Sequence, residues 1–331
     1  MNPTSVRSHG TDHRVPAQLA ARDRRRAGFG WDGSAVELCG VRLAGPLLNG
    51  SGTFDAIAAR RAFGDAVLER FPFHAFVSKT VTLEPRDGNP PPRLWETAAG
   101  MINSIGLPNK GLEGFLADDL PRLAELPVPL VVSVMGFSPD ELATLVERVA
   151  RREEVSLIEL NVSCPNVESG LVIGADPRET AGVLERLRPL TGKPLIVKLT
   201  PSAPDPAAVA AAAEDAGADA VSLINTLRGM ALHPATHAPW LGGVTGGLSG
   251  PAVRAVALEQ VSVVARRVEI PVIGMGGVAC GRDAAELMAA GAACVAVGTE
   301  SFRDPAAGRR IAAGLRAIGT RPGDKAGKRA R

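Results

Sequence analysis

The chain has 331 residues, of which 45% are hydrophobic and 22% charged, so it can bury a large core, and a barrel of this length forms one domain. No run of about 18 apolar residues occurs, so no transmembrane helix is expected, and the opening MNPTSVRSHGTDHR lacks the apolar centre of a secretory signal. The net charge of +2 is uneven: six Arg against Asp12 and Asp23 give +4 over residues 1–30, five basic residues against Asp324 give +4 over 321–331, and the body is left at −6.

The ends therefore read as solvated basic tails, 1–30 and 319–331, around a folded body at 31–318. Without a folded recognition motif or interleaved aromatics they do not indicate nucleic-acid binding. Cys39, Cys164, Cys280 and Cys294 are far apart, with no CxxC pair. That spacing speaks against a disulfide scaffold, a zinc site or a cluster held by this chain, so no metal is expected and a reducing cytoplasm is the natural compartment.

After the first tail, AVELCGVRL (35–43) alternates as a short hairpin. Eight short apolar runs follow, each ending in polar or Gly residues: PLLNGSG (46–52), AFVSKTVT (75–82), PLVVSVMG (129–136), VSLIELNVSC (155–164), PLIVKLTP (194–201), ADAVSLINT (218–226), PVIGMGG (271–277) and ACVAVGTE (293–300). Between them, 138–152, 204–216, 251–268 and 282–290 have helical spacing. Strands alternating with helices indicate a parallel sheet, and eight of them a closed (β/α)₈ TIM barrel, an α/β fold whose sites lie at the carboxyl ends of the strands.

That rule converts the strand ends into a site map: Ser51, Lys79, Ser133, Asn161 with Cys164, Lys198, Asn225 with Thr226, Gly276 with Gly277, and Gly298 with Thr299. IELNVSCPNVESG (158–170) is the richest stretch, because two amides and a thiol at the end of a buried strand each need a partner. Asn161 and Asn166 could also serve only to tie a corner. Lys79 and Lys198 lie in apolar runs and would desolvate a charge unless something anionic compensates; a lysine can also snorkel to water. GMGG, VGTE and GGLSG are small, backbone-exposing turns of the kind that hold phosphate in barrels. GMGGVA also fits a dinucleotide fingerprint, but it lies in the seventh unit rather than the first. The segment 83–111, rich in Pro and Gly, is too long for a plain connection and is expected to cover the barrel mouth.

The motifs NGSGTF, SKTVTLEPRDGNPPPRLWET, GMINSIGLPNKG, LNVSCPNVESG, INTLRGMAL, GGLSGP, VIGMGG and VAVGTESF, in this order over residues 36–305, resemble dihydroorotate dehydrogenase of soluble class 1, with INTLRGMAL and GGLSGP similar to class 1B. The resemblance implies FMN as cofactor and oxidation of dihydroorotate to orotate in pyrimidine biosynthesis. It makes Cys164 the general base at carbon 5, with hydride passing from carbon 6 to the flavin. Asn103, the following backbone of Ser104, Ile105, Gly106 and Leu107, and Asn161, Asn166, Asn225 and Thr226 would hold the substrate. Lys79 would touch substrate and flavin, and Lys198 would stabilise negative charge on the ring. Ser51, Gly52, Thr80, Ser133, Asn161, Ile224, Gly250, Gly276, Gly277, Gly298 and Thr299 would line FMN and its phosphate.

The resemblance further implies a homodimeric core and an iron–sulfur flavoprotein subunit that passes electrons to NAD. The chain departs from the family pattern at DAIAARR (55–61), at Ser133 where Asn is usual, at His233 where Asp is usual, and at Gly242–Gly243. Two other readings stay open: an FMN oxidoreductase on another cyclic amide, similar to dihydropyrimidine dehydrogenase, and a degenerate non-catalytic paralogue. Cys39, Cys280 and Cys294 read as structural, Cys294 as a small buried apolar side chain.

Overall fold

The computed structural model describes residues 30–162 and 173–320. The strands, in chain order, are β1 (Val36–Leu38), β2 (Val41–Leu43), β3 (Leu47–Asn49), β4 (Phe76–Val77), β5 (Leu94–Thr97), β6 (Gly100–Asn103), β7 (Leu130–Val134), β8 (Val155–Asn161), β9 (Leu195–Lys198), β10 (Ala220–Leu223), β11 (Leu227–Gly229), β12 (Gly246–Ser249), β13 (Val272–Met275) and β14 (Cys294–Val297). Eight of them form one parallel sheet in the order β3-β14-β13-β10-β9-β8-β7-β4. A parallel bridge between Leu48 and Ala75 joins the two ends and closes the barrel. All eight apolar runs of the sequence are the barrel strands.

The closure is short in backbone bonds and a side chain supplies the rest. Asn49 is fully buried; its Nδ2 donates to the Val77 carbonyl at 2.8 Å and its Oδ1 accepts from Val77 N–H at 2.9 Å. The amide thus acts as one more rung of the ladder. Asn49→Ala would strand both backbone groups of Val77, each costing roughly 1–3 kcal/mol when buried and unpaired. A loss of about 2–5 kcal/mol is expected, read as a lower urea midpoint at unchanged m value.

Local chemistry sets where the outer helices begin. Ser138 accepts from Glu141 N–H and opens the helix Pro139–Ala150; Asp176 and Asp205 cap Pro177–Leu187 and Pro206–Asp215 in the same way. Each has Pro in its first turn, where its missing N–H costs nothing. In the first of these, Leu142, Leu145, Val146 and Val149 form the buried stripe, at helical spacing. Strands covered by helices on one side and the barrel interior on the other are buried on both faces, as β7 is throughout and β8 over most of its length.

The barrel interior is filled by residues drawn from every strand, among them Leu48, Val77, Val131, Leu157, Ile196, Ala220, Ile273 and Cys294. Leu38 and Leu43 of the β1–β2 hairpin join this cluster. The Cys39 thiol in the hairpin turn donates to the carbonyl of Asp219, the residue before β10, at 3.3 Å. The hairpin therefore plugs the amino end of the barrel and leaves the carboxyl end for a site. There the segment 83–111 forms the hairpin β5–β6, which joins β12 and β11 in a second, antiparallel sheet of order β11-β12-β6-β5. The expected tails lie almost wholly outside the described residues; the last helix, Ala307–Gly319, runs one residue past the boundary placed at 318.

Candidate active site

A cavity of about 540 Å³ opens at the carboxyl ends of the strands, between the barrel and the antiparallel sheet. From the strand ends it takes Ser51, Gly52, Lys79, Thr80, Asn161, Lys198, Ile224, Asn225, Thr226, Gly276, Gly277, Gly298 and Thr299; from the covering segments it takes Asn103, Ile105, Leu107 and Gly250. Three expected residues do not line it. Ser133 is fully buried, its hydroxyl held by Thr80 and Glu159. Ser104 is buried and its Oγ accepts from Asn89 Nδ2 at 2.9 Å. Gly106, at positive φ, faces Asn89, which a Cβ would strike. Cys164 and Asn166 lie outside the described residues, two and four positions beyond Val162.

Lys198 and Asn161 are cross-strand neighbours in the β8–β9 register. Lys198 is buried, with 6% of its surface exposed, and its Nζ donates to Ser51 Oγ at 3.0 Å. Among the described residues no carboxylate pairs with it. Asn161 donates from Nδ2 to Thr80 Oγ1 at 3.4 Å, while its buried Oδ1 has no partner among the described residues. A buried cation without a counter-ion and a buried acceptor without a donor are both costly. Each leaves bonding capacity for a ligand.

At the other end of the cavity the backbone does the work. Among the described residues nothing in the chain accepts from the N–H groups of Gly276, Gly277, Gly298 or Thr299. Gly277 has φ 73°, and a Cβ there would lie 2.6 Å from Arg254 Cβ and 3.1 Å from the Gly250 carbonyl, so no larger residue fits. At Gly298 a Cβ would meet only Thr53, at 3.7 Å, and otherwise project into the cavity. Exposed amides beside glycine make an anion cradle. Thr299 Oγ1 donates to Ser249 Oγ at 2.8 Å across the same wall.

Lys79 is held by a residue that sequence reasoning treated only as a departure. Its Nζ donates to Asp55 Oδ2 at 2.7 Å, and Asp55 Oδ1 accepts from Ala58 N–H as the cap of the helix Ala56–Phe63. Burial pushes the Asp55 carboxyl up, but the bonds from Lys79 and from backbone N–H groups outweigh it and hold the group below the ordinary carboxylate value. A lowered pKa means that the stabilisation is complete above the unfolded value of about 4 and is lost as pH falls through the folded one. Asp55→Asn is therefore expected to be less stable than wild type at pH 7, with the gap closing below about pH 4. Thermal melts across that range check it. His233, another departure, does not line the cavity; it stacks on Trp240 at 5.2 Å and caps its own loop through Nδ1.

The sequence model of dihydroorotate dehydrogenase matches residues 34–318, most of the chain and the whole barrel. The chain belongs to the dihydroorotate dehydrogenase family. It is 47% identical over 282 residues to the "Dihydroorotate dehydrogenase B (NAD(+)), catalytic subunit" of Pelobacter propionicus, covering 85% of this chain and 91% of that one. The protein of the same name from Desulforudis audaxviator is 46% identical over 286 residues, at 85% and 91% coverage. A crystal structure of the enzyme from Eimeria tenella, in complex with ferulenol, aligns with a TM-score of 0.70 over 88% of this chain and 85% of that one; at 22% identity the likeness is one of fold.

Dihydroorotate dehydrogenases are FMN-dependent oxidoreductases of pyrimidine biosynthesis, and this chain is one of them. The cavity fits the cofactor. The Lys198 amine suits the electron-rich edge of a flavin, and the glycine-lined amides suit a phosphate. Sequence reasoning missed Glu159, Asn49 and Asp55, and also Met101, Ser249 and Glu300 on the cavity wall. Asp55 and Glu159 were visible only as acidic residues beside a Phe and between apolar neighbours.

Proposed function

We propose that dihydroorotate binds beside FMN in this cavity, with Cys164 as the base that takes the proton from carbon 5. FMN, when bound, supplies the acceptor for the hydride that leaves carbon 6. Loss of that proton and hydride forms the carbon–carbon double bond of orotate. Asn103, Asn161 and Asn225 offer amide groups that donate and accept in one plane, suited to a cyclic imide, with Asn166 and Thr226 completing the set. Asn103 Nδ2 already donates to the Gly247 carbonyl at 3.2 Å, so its oxygen is the end left for a ligand, and Asn225 Oδ1 accepts from Thr226 N–H at 2.8 Å. Lys79, steadied by Asp55, faces both ring systems; Lys198 places positive charge where negative charge develops. Gly250, Gly276, Gly277, Gly298 and Thr299 hold the phosphate, and Ser51, Gly52, Thr80 and Ile224 line the ring.

The observation that carries this reading is the pairing of Lys198 with Asn161, a buried amine and an unpartnered amide oxygen side by side on the cavity floor. The relatives named as NAD(+)-linked catalytic subunits support a second step in which electrons leave through a separate subunit to NAD; the sequence resemblance makes that subunit an iron–sulfur flavoprotein and this chain a homodimeric core. No helix of the described residues is long and apolar enough to cross a membrane, in keeping with a cytoplasmic enzyme.

Anaerobic mixing of the purified, FMN-loaded protein with dihydroorotate tests the first step. Rapid loss of the visible flavin band is expected. A yellow protein that stays oxidised would sink the substrate assignment while leaving the flavin barrel.

A further inference from the structure

From Asn161 and Thr80 on the cavity floor a chain of polar side chains runs back into the barrel, to Ser133 and Glu159, which do not line the cavity. Asn161 Nδ2 lies 3.4 Å from Thr80 Oγ1, Thr80 Oγ1 lies 3.0 Å from Ser133 Oγ, and Ser133 Oγ lies 3.0 Å from Glu159 Oε1. Ser222 Oγ meets the other carboxylate oxygen at 3.4 Å. Every member is buried, and Glu159 is only 3% exposed.

A hydroxyl can donate or accept, so the Thr80–Ser133 contact has no direction of its own. Glu159 imposes one, because both of its oxygens accept, one from Ser133 Oγ and the other from Ser222 Oγ. Ser133 must then spend its single proton on Glu159 and can only accept from Thr80. Thr80 in turn spends its proton on Ser133 and can only accept from Asn161. The Asn161 amide is left with one orientation, Nδ2 toward Thr80 and Oδ1 away from it, and Oδ1 is the atom without a partner among the described residues.

We propose that Glu159 is a positioning residue that fixes the polarity of this chain, so that Asn161 offers the bound pyrimidine an acceptor and not a donor. The site thereby selects a ring N–H at that point. The floor discriminates a dihydropyrimidine amide from a ring nitrogen that carries no hydrogen, although Glu159 touches neither. The inference rests on the ligand assignment above.

The test is a titration of the FMN-loaded protein with orotate, followed through the flavin absorption band, for wild type, Ser133→Ala, Asn161→Ala and the double variant. Ser133→Ala cuts the chain and frees the Thr80 proton to turn toward Asn161, which lets the amide reverse. Its expected effect is about five- to tenfold weaker orotate binding at unchanged flavin content, the order of one hydrogen bond. In the Asn161→Ala background the same substitution is expected to change affinity less than twofold, because its effect passes only through that amide. Glu159→Gln is the second variant: a carboxamide can itself donate to Ser133, so a loss of the same sign, also abolished by Asn161→Ala, is expected.

An equal loss with and without Asn161, in either series, would show a merely structural chain and overturn the proposal. Wild-type affinity in Ser133→Ala would do so as well. Failure of the wild-type protein to bind orotate would instead overturn the ligand assignment.

Discussion

Cys164→Ala is expected to remain yellow and folded while losing about 10²–10⁴-fold in turnover, the usual contribution of a positioned base. The substitution removes a single sulfur, so FMN content and orotate affinity should stay near wild type. Cysteine has an ordinary pKa of about 8.5, and only its thiolate accepts the carbon 5 proton. Flavin reduction by dihydroorotate should therefore rise with pH through the neutral range in wild type. The residual rate of the variant should lose that dependence. Stopped-flow reduction at several pH values measures both, and a variant that reduces at the wild-type rate would remove Cys164 from the mechanism.

The other thiols supply the internal control for chemical labelling. Burial pushes Cys39 and Cys294 up to about 12, so neither is a thiolate at neutral pH. Cys280 is exposed at the start of the helix Gly281–Ala289, where it and Asp283 cap each other's backbone. Alkylation that orotate protects against should then map to Cys164, and alkylation that orotate does not affect to Cys280.

What the sequence displayed of this molecule follows from how local each signal is. The barrel strands were legible because each is a short apolar run closed by Gly, Asn or Lys, and three of the helices between them open on Ser or Asp before Pro, signals contained within a dozen residues. The antiparallel sheet was not. In β5 the half-buried positions alternate with exposed ones over only four residues, and the pairing that extends the β5–β6 hairpin into a sheet is with β12, Asn103 opposite Gly247, 144 positions on. The helix Ala56–Phe63 was also missed, because its value to the site is one cap residue reaching a lysine 24 positions away.

The same reasoning separates the site residues that sequence found from those it did not. Strand-end position was enough to place Lys198, Asn161 and the glycines on one cavity, because the barrel rule is a statement about topology. It failed for Ser133, which lies next to the end of β7 yet gives its hydroxyl to Glu159 behind the floor. Whether a strand-end side chain reaches the ligand or supports one that does depends on cross-strand register, and register is carried by neighbours 53 and 26 residues away.

Lys198→Met is the substitution in which register, burial and charge combine. Methionine keeps most of the side-chain volume and flexibility, so the barrel should fold and hold FMN, while the amine beside Ser51 and Asn161 is gone. A fixed positive group in a dry site acts on developing negative charge far more strongly than one in water, and removing one such donor typically costs about 10²–10³-fold, or about 2.7–4 kcal/mol. Reduction of the bound flavin by dihydroorotate should slow by that factor, and the flavin should become harder to reduce at equilibrium. Stability should change in the opposite sense: the apo form loses a buried cation that no described carboxylate offsets, so apo Lys198→Met is expected to melt at or above the wild-type temperature. A slower reaction in a protein no less stable would identify Lys198 as a group kept for chemistry at a cost to folding. A variant that is less stable and equally fast would make it a structural lysine.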